Sequence, residues 1–331
     1  MPDVAEAVPG RDTVARSPVG LVVGAGGLLG SAMTQELRRL GALGSFSPTY
    51  PWHDRTSFAS VFADAAEAVC REAAAQERPW AVYWCAGAGH VGTSAETLRD
   101  EDLLVQQAVE VLASARPQTQ GILCFASSAG AIYGGSQVHF ADEETLPSPM
   151  SDYGFAKLRQ ESLINERLYG VRHCRAVHLR MSNLYGPGQR AAKPQGLMSH
   201  LVRNTLQRVP TAIYVPLDTA RDYLYSRSAA RMAIFSAEEA LLTDRPGGVR
   251  LLAAERSVSI GQIIGALSRV LRRRVPYVVT RTEQTQLQPL VLRFRSLDRR
   301  MHRLETVGLV EGMASIVKAT WRELAVSGWR R

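Results

Sequence analysis

Residues 19–30 read VGLVVGAGGLLG: five mostly apolar residues run straight into Gly24, Gly27 and Gly30, and a helical pattern begins at once. A short buried strand, a tight turn and a helix in direct succession leave little choice of fold. The turn needs backbone conformations and close approaches that side chains obstruct. The helix start offers unpaired N–H groups and a positive dipole end, which suit a pyrophosphate. Gly24, Gly27, Leu28, Leu29 and Gly30 are therefore the candidate cofactor cradle. A glycine pattern alone also fits a purely structural turn; its place at the first strand–helix junction is what favours a dinucleotide.

The chain keeps this rhythm. Helical patterns over 57–76, 96–115 and 151–169 alternate with apolar strands at 80–89, 121–130 and 174–183, and a weaker strand is expected near 42–47. Such alternation predicts a parallel sheet covered on both faces, with functional residues at the carboxyl ends of its strands. Further on, helices are expected over 197–208, 227–242, 258–273 and 311–325, with a strand and a turn within 212–226. The expected class is α/β, a Rossmann-type doubly wound parallel sheet with a smaller C-terminal lobe. We divide the 331 residues into a disordered tail (1–17), a dinucleotide-binding domain (18–190) and a second lobe (191–331) with segments returning to the main sheet.

Composition excludes several functions. No run of about 18 apolar residues is present, so no membrane span is expected, and residues 1–20 lack the pattern of a signal peptide. Cys70, Cys85, Cys124 and Cys174 stand alone without metal-ligand spacing, so reduced thiols, a cytoplasmic setting and no metal are expected. The net charge of +8 suggests nucleic acid, but 36 of the 39 basic residues are arginines, spread along the chain and interleaved with acids. That pattern describes a solvated, mildly basic surface and not a nucleic-acid interface; a small anionic ligand remains compatible.

Tyr153 and Lys157 carry the chemistry. With 10 tyrosines and three lysines, chance gives about 0.09 Tyr-x-x-x-Lys pairs, and residues four apart share one helix face. A free phenol titrates at about 10 and is a poor base near neutrality. A neighbouring ammonium and a cationic nicotinamide should pull that value down; a shift of about 3 units corresponds to about 4 kcal/mol. The phenol then exchanges a proton with a hydroxyl or ketone while hydride moves to or from the cofactor. A serine from the preceding strand end, Ser127 or Ser128, would hold the same oxygen.

GAGGLLG (24–30), AGAGHVGTS (86–94), SSAGAIYG (127–134), YGFAK (153–157), LRMSNLYGPGQ (179–189) and LDTARDYLY (217–225) occur in that order. In this the chain resembles an extended short-chain dehydrogenase/reductase of the nucleotide-sugar epimerase/dehydratase type over residues 19–330. The resemblance implies that the second lobe binds a nucleotide diphospho-sugar. It makes Tyr153 and Lys157 the catalytic dyad, also in contact with cofactor, and Ser128 their third member, with Ser127 the alternative. It places Ala86 and Gly87 against the cofactor. Asn183 and Arg221 fall on the substrate diphosphate, Gln195 and Tyr214 on the substrate. Pairing of the 96–115 and 151–169 helices between two copies implies a homodimer.

The departures from the pattern are informative. Dehydratases place an Asp-Glu pair where this chain has Ala129-Gly130-Ala131, which argues against 4,6-dehydration. No acid stands near Pro48, where an NAD ribose would be gripped; Ser45, Ser47 or Arg55 would suit a 2′-phosphate, so NAD and NADP both remain open. The asparagine expected on the helix after residue 94 is missing from LLVQQAVEVL (103–112). Asp54 reads either as a helix cap or as an adenine contact. His90 reads first as a satisfied loop histidine and second as an auxiliary acid; His178, Trp80, Trp84, Tyr133 and Tyr185 read as packing residues. The leading expectation is an NAD(P)-dependent 4-epimerase, followed by an NAD(P)H-dependent 4-ketoreductase and, more remotely, a cofactor-bound scaffold without turnover.

Overall fold

The computed structural model describes residues 17–189, 196–243, 248–280 and 291–327. The first half runs β1 (Val19–Val23), α1 (Leu28–Arg39), α2 (Arg55–Ala75), β2 (Trp80–Trp84), α3 (Ala95–Ser114), β3 (Gly121–Ser128), the single turn α4 (Ala129–Ile132), α5 (Asp152–Leu168) and β4 (Cys174–Met181). The second runs β5 (Asn183–Tyr185), α6 (Leu197–Gln207), β6 (Thr211–Ile213), β7 (Ala220–Tyr225), α7 (Ser226–Leu242), β8 (Gly248–Leu252), β9 (Ser257–Ser259), α8 (Ile260–Leu271), β10 (Tyr277–Val279) and α9 (Leu309–Ser327).

Five strands pair in parallel in the order β1-β2-β3-β4-β8. Their near-continuous apolar runs follow from burial on both faces. Alternate side chains divide between two layers. Leu21, Val82, Leu123 and Phe125 pack towards α2, α3 and α5. Val22, Tyr83, Ile122 and Cys124 pack towards α1 and α7. The lobe has its own core among α6, α8 and α9, and holds the three-stranded sheet β5-β7-β9 and the pair β6–β10. No helix among the described residues is long and apolar enough to cross a membrane.

The strand expected near 42–47 does not form. One bridge, Gly20 to Leu43, is all that pairs there, with the Gly20 N–H donating to the Ala42 carbonyl at 2.7 Å. The Ser45 N–H and hydroxyl both donate to Glu72 of α2, at 2.8 and 2.9 Å, and so leave the ladder. Pro48 and Pro51 then have no N–H to offer.

A strap, residues 291–297, crosses back to the first half. Phe294 bridges to Ala141 and Val291 to Ala220. Glu143 ties it down, accepting from the Ser296 hydroxyl at 2.6 Å and the Leu297 N–H at 2.8 Å, while also accepting from the Leu251 N–H of β8 at 3.1 Å.

Candidate active site

The glycine turn is sterically closed. Gly24 has φ +86°, and a Cβ there would lie 2.7 Å from the Ala86 nitrogen. A Cβ on Gly30 would lie 2.1 Å from the Gly24 carbonyl oxygen. Gly27 caps α1 with no side-chain hydrogen bond, so the first helical N–H groups have no side-chain acceptor. The cradle fits a dinucleotide pyrophosphate. Gly30→Ala should lower dinucleotide affinity by about tenfold or more, read by titration calorimetry; parental affinity would refute this account of the turn.

From this cradle one cleft of about 1920 Å³ runs past Tyr153 to the second lobe. Gly24, Gly27, Leu28, Leu29, Ala86 and Gly87 line one end, and Asn183, Tyr214 and Arg221 the other. That volume exceeds an ordinary single-ligand pocket of about 300–1,000 Å³ and suits two ligands laid end to end. Gln195 lies outside the described residues.

Ser151 caps α5 through the Gly154 N–H at 3.3 Å, setting Tyr153 in the first turn. A Cβ on Gly154 would meet the Ala131 carbonyl at 2.5 Å, so α5 starts hard against α4. The two serines part there. Ser128 accepts from the Ala131 N–H at 3.3 Å, and its hydroxyl pulls the Tyr153 phenol down. Ser127 donates to Glu161 at 2.6 Å in the interior. Behind it Arg180 of β4 grips Glu161 through two nitrogens, at 3.1 and 2.6 Å, and donates to the Tyr133 hydroxyl at 2.6 Å.

Lys157, 3% exposed, donates to Glu101 Oε1 at 2.8 Å and to Gln160 Oε1 at 3.0 Å. Its ammonium lies 4.9 Å from the Phe125 ring centroid and 5.8 Å from that of Tyr153. The other Glu101 oxygen accepts from the Ala88 and Gly89 N–H groups at 3.1 and 3.0 Å. Burial pushes the Glu101 carboxyl up, but Lys157 and these hydrogen bonds outweigh it and hold it below its ordinary value. Burial opposes the charge on Lys157, and Glu101 more than restores it.

Without a nicotinamide, the Tyr153 phenol sits above its ordinary value. Burial raises it; Lys157 and Ser128 pull it down, while Glu101 pushes it up. The expected depression counts both Lys157 and a cationic nicotinamide; in the chain alone, burial is the largest influence and Glu101 adds to it. Sequence reasoning passed over Glu101. Its signal was an acid in the buried stripe Leu98, Glu101, Val105, Ala108 and Leu112 of α3.

The remaining residues fall as follows. Asp54 is spent as the α2 cap, accepting from the Thr56 and Ser57 N–H groups, while Trp52, His53 and Arg55 line the cleft. His90 also lines it, with Nδ1 2.7 Å from the Val91 carbonyl. His178 is buried, Nε2 2.8 Å from Asn165 Oδ1. Trp80, Trp84, Tyr133 and Tyr185 are buried in the cores.

Residues 20–247 match the model of the NAD dependent epimerase/dehydratase family. A dTDP-4-dehydro-6-deoxyglucose reductase of Escherichia coli is 33% identical over 106 residues, 31% of this chain and 32% of that protein. A putative UDP-glucose 4-epimerase of Methanocaldococcus jannaschii is 31% identical over 134 residues, 40% of this chain and 43% of that protein. The aligned stretches span less than half of either relative. The solved structure of MoeE5 in complex with UDP-glucose and NAD superposes with a TM-score of 0.73 at 25% identity, covering 92% of this chain and 99% of that one.

Proposed function

Because the chain belongs to the NAD dependent epimerase/dehydratase family, we propose that it is an NAD-dependent 4-epimerase of nucleotide diphospho-sugars. The observation that carries this reading is the Ser128–Tyr153–Lys157 group, set in one cleft between a glycine cradle and Arg221. NAD is taken as the cofactor, as in the MoeE5 complex, which also holds UDP-glucose. When bound, it supplies an acceptor that takes hydrogen with its electron pair from C4 and gives it back.

The chain's own residues do the rest. Tyr153 takes the proton of the C4 hydroxyl and returns it. Ser128 holds the same oxygen through a hydrogen bond. Lys157 has two of its three N–H donors on Glu101 and Gln160; the third would help hold the cofactor. The planar Arg221 guanidinium suits diphosphate oxygens, and Asn183 and Tyr214, which line the same cleft, add the sugar-nucleotide contacts. Ala129-Gly130-Ala131 supplies no acid–base pair for removing water.

A 4-ketoreductase is the second reading. A phenol held protonated is a ready donor to a ketone, and burial of Tyr153, with Glu101 adding to it, favours that state; the reductase of Escherichia coli is among the relatives. Purified protein separates the two. Interconversion of UDP-sugar C4 epimers, with the bound dinucleotide recovered unchanged and identified by mass, is the expected result. Stoichiometric oxidation of reduced nicotinamide by a 4-keto sugar, without epimer interconversion, would overturn it in favour of the reductase.

A further inference from the structure

The carboxylate of Glu101 is shared between two parts of the site. Oε1 is on the Lys157 ammonium, and Oε2 accepts the Ala88 and Gly89 N–H groups of the loop after β2. A Cβ on Gly87 would stand 3.4 Å from Oε1, so the side chain also abuts the cofactor end of that loop. Glu101 is 7% exposed. A buried ammonium beside a buried carboxylate is an ion pair whose members need each other, because either alone would be an uncompensated charge in the interior.

We propose that Glu101 is a positioning residue of the proton-transfer site. One carboxylate oxygen holds Lys157, the other fixes the β2–α3 loop against it, and the charge sets how strongly Lys157 acts on Tyr153. This rests on reading Tyr153 and Lys157 as the proton-transfer pair. The groups facing Lys157 are Glu101 and Asp102 from α3, Tyr153 and Gln160 from α5, and the uncharged Phe125 from β3. Asp102 is engaged by Arg159 and Gln160 at the outer side. Glu101 is therefore the acid in direct contact with the ammonium.

The charge balance has a consequence. With Glu101 ionised, the Glu–Lys pair is neutral, and forming a phenolate leaves a net negative charge in a buried site. With glutamine in its place the pair becomes a lone cation, and the phenolate is compensated by it. The Tyr153 phenol should then deprotonate more readily. Glutamate thus favours the phenol as donor, and the proton is released when the site gains positive charge elsewhere.

The test is a spectroscopic titration of the full chain as purified. Ultraviolet phenolate absorbance is followed against pH, and the Tyr153→Phe protein is subtracted to isolate that one phenol. Glu101→Gln should move its midpoint down by about one pH unit or more, and the low-pH limb of turnover should move with it. Glu101→Asp keeps the charge but shortens the reach. It should hold the midpoint close to that of the parent while kcat falls about tenfold through lost alignment. Superimposable parent and Glu101→Gln titrations would overturn the proposal, and so would parental kcat in Glu101→Asp. If Glu101→Gln does not fold, the aspartate variant decides alone. The titration needs no sugar, so it reads Glu101 whether the enzyme epimerises or reduces; failure of the epimerase reading appears instead in the product assay.

Discussion

Tyr153→Phe should lower turnover by about 10²–10⁴-fold, the usual contribution of a positioned acid–base group. The change removes one oxygen and leaves the ring. That ring packs closely against Gly89, where an added Cβ would lie 2.9 Å from Tyr153 Cδ2. Phenylalanine fills the same space, so the fold should match the parent, read by thermal melting. The loss therefore belongs to kcat. Parental turnover in Tyr153→Phe would sink both the epimerase and the reductase reading.

Arg180→Met should destabilise the protein by about 3–5 kcal/mol, measured by urea unfolding, because it strands a buried carboxylate. Arg180 and Glu161 are 6% and 4% exposed. Glu161 would keep the Ser127 hydroxyl as a donor and lose both guanidinium contacts. The Tyr133 hydroxyl would lose its donor too. Replacing both partners, Arg180→Met with Glu161→Leu, should recover much of the loss, since an apolar pair of similar volume leaves no charge to compensate. A loss below about 1 kcal/mol for Arg180→Met alone would refute the view that this pair anchors β4 to α5.

The parts of the site legible in the sequence are those set by local spacing. The glycine turn is written in seven consecutive residues, and the Tyr153–Lys157 relation follows from four-residue spacing on one helix face. What escaped depends on side chains arriving from far along the chain. Glu101 reaches Lys157 across 56 residues through the α3–α5 contact, and it adds to the burial that raises the Tyr153 phenol. Ser127 and Ser128 are neighbours on a strand and must face opposite sides; only Glu161, 34 residues on, determines which one is tied up. The strand expected near 42–47 was lost to Glu72, whose carboxylate takes the donors of Ser45 from 27 residues away. Asp54 had two readings on the page, and its hydrogen bonds to Thr56 and Ser57 selected the cap.

The strap at 291–297 imposes an order on biogenesis. The residues that line the cradle all precede Asp100 on the ribosome, whereas Leu292 and Phe294 of the cleft wall arrive late. Glu143 must wait 153 residues for Ser296. At about 5–20 residues per second, that is an interval of about 8 to 30 s. Throughout it Ile132 and Tyr133 lack the part of their packing that Leu292 and Phe294 supply. The nascent chain thus presents an apolar face beside a nearly finished nucleotide half, and chaperone engagement with this protein should concentrate in that window.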